Sequence, residues 1–195
     1  MTLLAHRIRD VRLSWLLARS QRGDRDAFRR LYRLLHGPVS RYVRRRVRPP
    51  PDAEDVVAEV FIRLVESLDR IDARRVTVLA YALTAARNAV IDRARRGAAA
   101  VDALALPAPQ PVPDPGQRLE ARQALDAVRA GVERQPDEVR EMLGLRFADG
   151  LRHAEIAAVM GLSEPAVRQR LSRAVRELRA QLDEAAISKE LANGF

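Results

Sequence analysis

Apolar residues recur along this chain at intervals of three and four rather than two, so the pattern predicts helices and no convincing strand. Leu4, Ile8, Val11 and Trp15 form a first stripe at helical spacing, which Leu16 widens. Gly23 then breaks the chain, and Asp24 is placed to cap a second helix carrying Phe28, Leu31, Tyr32 and Leu35. Gly37-Pro38 is expected to kink or divide that helix before Val39, Tyr42, Val43 and Val47, and Pro49-Pro50-Pro51 to stop it. A third helix is expected from near Asp52, with Ala53, Val56, Val57, Val60, Phe61, Leu64, Val65 and Leu68 on one face. After a loop over 69–75, a fourth turns Leu79, Leu83, Ala86, Val90 and Ala94 inward. Four such stripes can bury one core as a small bundle.

Residues 97–118 have no such period and hold five prolines, each removing a backbone donor and biasing its predecessor toward extended geometry. They read as a mobile or extended tether. A second helical block follows. Leu125, Val128 and Val132 make one stripe; Pro136 opens a helix with Val139, Met142, Leu143 and Phe147 inward, and Gly150 ends it. Two further helices, about 152–160 and 164–182, flank the turn Gly161-Leu162-Ser163. The expected class is therefore all-α. Two small domains, 1–96 and 119–182, are joined by the 97–118 linker and followed by a tail, 183–195, that lacks a clear partner face.

Composition narrows the chemistry. The chain has 195 residues and no cysteine, which removes disulfides, thiolate catalysis and cysteine-ligated zinc. His6, His36 and His153 have no metal-ligand spacing, and no metal, cofactor or catalytic residue is expected. The longest uncharged runs are eleven residues, short of the roughly 18–20 a membrane helix needs. Near the start, Leu13–Ala18 is too short for a signal peptide, so a cytoplasmic protein without membrane insertion is expected. The net charge of +9 is unevenly spread: residues 1–96 carry 22 arginines against 11 acids, while residues 97–195 are net −2. A basic half-molecule commonly addresses a polyanion.

Three segments carry candidate chemistry. His153–Ser172 has the twenty-residue helix-turn-helix pattern. Ala157 lies where two helices cross, Gly161 makes the turn, and Ile156, Met160, Leu162, Val167 and Leu171 are at the buried positions. Ser163 can cap the second helix, and Pro165 is tolerated in its first turn. Glu164, Arg168, Gln169, Arg170 and Arg173 then fall on or beside its open face, where arginine can grip guanine and glutamine adenine. Asp52–Phe61 is an amphipathic helix start whose acidic edge holds Asp52, Glu54, Asp55 and Glu59; by spacing alone it is a solvated face. On the helix that includes Ala85–Arg96, Tyr81, Thr84, Asn88 and Asp92 share one face, with Arg87, Arg93, Arg95 and Arg96 reaching outward. Such a face can take up an unstacked base and its phosphates, or Asn88 can be a structural amide.

In this order, GDRDAF at 23–28, DAEDVVAEVF, ARNAVIDRARR, a proline-rich linker and LRFADGLRHAEIAAVMGLSEPAVRQRLSRA at 145–174 resemble the extracytoplasmic-function (ECF) bacterial sigma factors. The resemblance covers residues 13–182. It implies that the first domain docks on the clamp of core RNA polymerase through Asp52, Glu54, Asp55 and Glu59 and opens the minus-ten promoter element. Asn88 falls at the family's flipped-base pocket. The loop 69–75, with Ile71, falls at its specificity loop, and Tyr81, Arg87, Arg93, Arg95 and Arg96 complete that surface. The helix-turn-helix would read the minus-thirty-five element. Implied partners are core RNA polymerase and promoter DNA, with an anti-sigma factor as a further candidate. The chain departs from the family at Ala58, where a glutamine is usual, at Tyr81 and Ala82, where tryptophan and leucine are, and at Pro165-Ala166, where glycine-threonine is. Two other readings compete: a stand-alone helix-turn-helix regulator that does not bind polymerase, and an enzyme such as a serine recombinase with a helix-turn-helix tail. The latter needs an α/β domain for which residues 1–96 show no strands.

Overall fold

The structure, a computed structural model, describes residues 3–96, 100–101 and 125–193, with side chains over 4–96 and 125–183. Most of the linker predicted at 97–118 lies outside the described residues. The all-α expectation is met. Helices α1 (Leu3–Ser20), α2 (Arg25–Arg44), α3 (Pro50–Glu66) and α4 (Val78–Arg95) form the first bundle. In the second half, α5 is described over 125–133 and is followed by α6 (Asp137–Leu143), α7 (His153–Met160) and α8 (Glu164–Asn193).

The stripe chosen for α1 faces outward: Leu4, Ile8, Val11 and Trp15 are 51–70% exposed. The buried face is His6, Leu13, Leu16, Leu17 and Ser20, which packs α1 on α2 and α4. Leu13, Leu16 and Leu17 also sit at helical spacing, so α1 carries two overlapping stripes and periodicity cannot choose between them. Asp24 caps α2 as expected, its carboxylate accepting from the amides of Asp26 and Ala27. Pro38 does not divide α2, which runs continuously to Arg44. The proline run does not stop α2 either; Pro50 and Pro51 occupy the first turn of α3, where a missing N–H costs nothing.

Before them, Val47–Arg48 (β1) pairs antiparallel with Ala100–Val101 (β2), Val47 opposite Val101. Two residues are too few to show alternation, so this ladder leaves no mark in the sequence. Thr77 caps α4, its hydroxyl accepting from the Ala80 amide at 3.3 Å. α4 is the central helix, packed on α1, α2, α3 and α7, and buries a wide face rich in alanine. Ala94, predicted inward, is exposed past the end of that contact, and Val65 is likewise exposed on the outer face of α3.

In the second half, Val132, Met142 and Leu143 are buried as expected, but Phe147 is 69% exposed. A turn of π-helix at Gly144–Ala148 explains this. The wider turn shifts the register that a 3.6-residue period assumes, turning Leu145 into the core and Phe147 out. α8 runs thirty residues to Asn193, beyond the helix end predicted near 182.

Candidate nucleic-acid interface

The helix-turn-helix forms as its sequence requires. Gly161 ends α7 in the left-handed region at φ 68°, and the Leu162 amide donates to the Ala157 carbonyl at 3.0 Å. The Ser163 hydroxyl accepts from the Ala166 amide at 3.3 Å, starting α8. Ile156, Ala157, Val167 and Leu171 are buried between the helices, with Met160 and Leu162 packed against them. On the outer face of α8, Arg168, Gln169, Arg170 and Arg173 are exposed. Arg168 pairs with Glu164 at 2.9 Å and Arg173 with Glu177 at 2.8 Å, both within the helix. Arg170 instead reaches Glu138 at the start of α6, at 2.5 Å. His153, at the start of α7, is held below its ordinary pKa by burial and by Arg146 and Arg168.

In the first half, the two motifs predicted as separate surfaces adjoin. Arg93 on α4 pairs with Asp52 on α3 at 2.8 Å. Arg96 approaches Glu59 at 3.8 Å, and Arg63 bridges Glu59 and Asp92. Glu54 meets Arg44 at 3.5 Å. Asp55 stays exposed, and the sequence reading missed what lies beside it: Ile62 and Val65 are exposed apolar side chains on the same outer face of α3 as Asp55, Ala58 and Glu66.

Asn88 is exposed on α4 and makes no hydrogen bond among the described residues, which removes the basis for a structural amide. Tyr81 is half-buried, its hydroxyl donating to Ser67 at 2.9 Å. Ile71 departs from the expectation of a base-contacting side chain, being 4% exposed. Gln21 donates to the carbonyls of Leu68 and Ile71, pinning the loop base to α1, so Asp69, Arg70, Asp72, Arg74 and Arg75 form the outward part of 69–75. Arg95 and Arg96 are exposed at the end of α4, while Arg87 is half-buried.

Arg87 is half-buried because the second half of the chain sits on it. Its Nε donates to Glu141 at 3.3 Å. The same carboxylate accepts from the Tyr42 hydroxyl at 2.6 Å and lies 3.9 Å from Arg46. Burial raises the Tyr42 phenol pKa and lowers that of Arg46, whose guanidinium stacks 3.7 Å above the Tyr42 ring. Arg45 pairs with Asp149, whose carboxyl pKa burial raises and Arg45 opposes. Glu155 at the start of α7 accepts from Arg9 at 2.5 Å and from Thr77 at 3.1 Å. Arg152 pairs with Asp10, and His6 meets the Gly150 carbonyl at 2.7 Å. A cleft of about 470 Å³ remains along this contact, lined by Arg75, Thr77, His153, Glu155 and Glu164 among others.

Comparison with known proteins agrees with this layout. Residues 31–100 match the family described as Sigma-70 region 2, and residues 125–178 match Sigma-70, region 4. The chain is 34% identical over 175 residues to the ECF RNA polymerase sigma factor BldN of Streptomyces coelicolor, covering 86% of this chain and 65% of that protein's length. It is 32% identical over 169 residues to the ECF RNA polymerase sigma-E factor of Escherichia coli K12, covering 82% of this chain and 88% of that one. Among solved structures, CnrH in complex with the cytosolic domain of CnrY matches with TM-score 0.55 and 26% identity, over 87% of this chain and 96% of that chain. The sigma factor RpoE of Bartonella quintana, in complex with the anti-sigma factor NepR, shares the fold at TM-score 0.55 and 18% identity, over 80% and 96%. No helix among the described residues is long and apolar enough to cross a membrane.

Proposed function

The chain belongs to the extracytoplasmic-function sigma factors of the sigma-70 family, and from that membership we propose how its own residues direct RNA polymerase to promoters. The observation that carries the reading is that one chain exposes two recognition faces the fold does not use. One is the basic face of α8; the other is the outer face of α3, where apolar Ala58, Ile62 and Val65 lie between Asp55 and Glu66. A stand-alone regulator has use for the first alone.

The face of α3 has the makeup of a docking surface, an apolar centre with charged edges. It is assigned to core polymerase. Asp52 and Glu59 are partly neutralised by Arg93, Arg63 and Arg96, so Asp55 is the carboxylate most available to a partner. Ile62 and Val65 supply the apolar contact. The α4 face is assigned to the minus-ten element: Asn88 to an extruded base, Arg95 and Arg96 to flanking phosphates, and the outward residues of 69–75 to the pocket wall. Arg87 and Arg93 join only where their present ion pairs open. The exposed residues Arg168, Gln169 and Arg173 on α8 are assigned to the minus-thirty-five element. A protein that binds this chain as NepR binds RpoE is a further candidate partner.

Purified core polymerase with this chain should give specific run-off transcripts from a genomic fragment library, and the chain alone none. Asp55→Arg should weaken polymerase binding by about 2 kcal/mol or more, as for a charge at a packed interface. Ile62→Ser should weaken it in the same direction without changing net charge. Undiminished pull-down of polymerase by the doubly substituted protein would remove α3 from the interface.

A further inference from the structure

The outer face of α1 belongs to none of the surfaces assigned above. Eight large apolar side chains are exposed among the described residues, and four of them, Leu4, Ile8, Val11 and Trp15, stand on this one helix, 51–70% exposed. They stay exposed with α1 packed on α2 and α4 and with His6 and Asp10 in contact with the second half of the chain. An apolar patch rimmed by polar side chains marks an interaction site.

The spacing of the four says what kind. Steps of four, three and four residues are the a and d positions of a heptad repeat. At 3.6 residues per turn they fall within about 60° of arc. A stripe facing a broad apolar environment runs to roughly 100° or more, whereas a strict a/d stripe is the narrower seam of one helix against another. From Leu4 to Trp15 the seam is about 16 Å long at 1.5 Å per residue. Trp15 is already held for that role. The Arg19 guanidinium lies 4.8 Å from its ring centroid, and Arg19 Nε donates to Asp24 at 2.7 Å. An aromatic anchor fixed in advance loses less freedom on binding.

The charges beside the seam select the partner. With Ile8 at an a position, Arg7 falls at g and Arg12 at e, the positions that meet the flanks of an opposing helix. Both arginines are exposed and without an ion pair among the described residues. The one acid of α1, Asp10, lies off the seam and is occupied by Arg9 and Arg152. A second copy of α1 would set Arg7 against Arg12 in a parallel pair. In an antiparallel pair it would set Arg7 against Arg7 and Arg12 against Arg12. Self-association through this face is therefore opposed in either direction.

We propose that the outer face of α1 is a docking site for an acidic amphipathic helix of a partner protein. The partner's apolar seam packs on Leu4, Ile8, Val11 and Trp15, and its carboxylates lie beside Arg7 and Arg12. The face shares no residue with the surfaces assigned to core polymerase and promoter DNA, so the partner rides on the chain without displacing either.

The probe is a fluorescein-labelled peptide of three heptads, with leucine at a and d and glutamate at e and g. A twin carries lysine at e and g, and like charges keep each peptide from pairing with itself. In anisotropy titrations of the full chain, the glutamate peptide should bind about tenfold more tightly than its twin, and rising salt should narrow the difference. Ile8→Ser with Val11→Ser should weaken the glutamate peptide about tenfold or more, since two apolar contacts are withdrawn from the seam. Both positions are exposed, and circular dichroism confirms that the variant stays folded. Arg7→Glu with Arg12→Glu should reverse the preference between the peptides, an outcome that general attraction to the other arginine faces does not give.

Binding of neither peptide, equal binding by the serine variant, or an unreversed preference each overturns the proposal. So does dimerisation of the wild-type chain, or its binding to phosphatidylglycerol vesicles, if the serine variant loses it, because the face then belongs to a second copy or to lipid. Run-off transcription with core polymerase should be unchanged in the serine variant; its loss there would give the face to polymerase instead. The peptide titrations contain no polymerase, so their outcome is separate from that of the functional reading.

Discussion

At the scale of single residues, the assignments divide by what each side chain is already doing. Asn88 is exposed and unbonded, so its amide is free to offer a donor and an acceptor to a base edge. Asn88→Ala should therefore leave polymerase binding intact and lower permanganate reactivity of promoter thymines. A pre-melted bubble template should restore much of the lost transcription, because it removes the few kcal/mol that base extrusion costs. Equal defects on bubble and duplex would take Asn88 out of melting. Gly161 is a different kind of residue, needed for its backbone. With φ 68° and open space around it, Gly161→Ala meets no clash but must adopt the left-handed region. It should destabilise by about 1–2 kcal/mol, read as a lower thermal midpoint. Gly161 and its neighbours were legible because turn chemistry is local. Ile71 was not: the resemblance placed it on the promoter-facing loop, and only the packing shows its side chain buried at the loop base, with its carbonyl held by Gln21.

At the scale of elements, periodicity found most helices in both halves and failed where a helix offers two stripes or leaves the 3.6-residue period. α1 is the first case, with Leu13, Leu16 and Leu17 taking the core and the Leu4–Trp15 stripe left outside. The π-turn after α6 is the second, and it exchanges Phe147 for Leu145. The recognition helix shows what an element-level reading adds to a list of arginines. Arg168 and Gln169 project from α8 with at most a partner in their own helix, whereas Arg170 is tied across to Glu138 on α6. In holoenzyme footprinting, Arg168→Ala and Gln169→Ala should each cost about 1–3 kcal/mol at the upstream element and relax preference at one base position. Arg170→Ala should do much less, since it gives up a contact within the domain. If Arg170→Ala proved the most damaging of the three, the Glu138 pair would have to break on DNA and the orientation assigned to α8 would be wrong.

At the scale of the whole molecule, the charge asymmetry between halves was plain in the sequence, and its natural reading was an external polyanion. That reading is half the account. The acids that meet the basic face lie on α6, the turn after it and α7, some 54 to 146 residues away, and no local pattern announces pairing across that span. Glu141 is the group through which the two readings compete, since it holds Arg87 while also accepting from Tyr42. Glu141→Gln keeps an acceptor for the Tyr42 hydroxyl but withdraws the charge from Arg87 and Arg46. Arg87 is then available to a phosphate, and the isolated chain should bind non-specific duplex DNA more tightly at low salt. One added phosphate contact should steepen the dependence of log affinity on log salt by roughly one. In the wild-type chain, rising salt screens the intramolecular pairs as well as the DNA, so part of the loss in DNA affinity is offset by opening. The gap between variant and wild type should therefore be widest near 50 mM salt and close toward about 0.5 M, where the screening length falls to a few ångströms. The measurement is a fluorescence-anisotropy titration across that range, with circular dichroism confirming that the variant stays folded. A gap of constant size at every salt concentration would mean that Glu141 acts on DNA binding through local structure, and not by competing with phosphate for the same arginine.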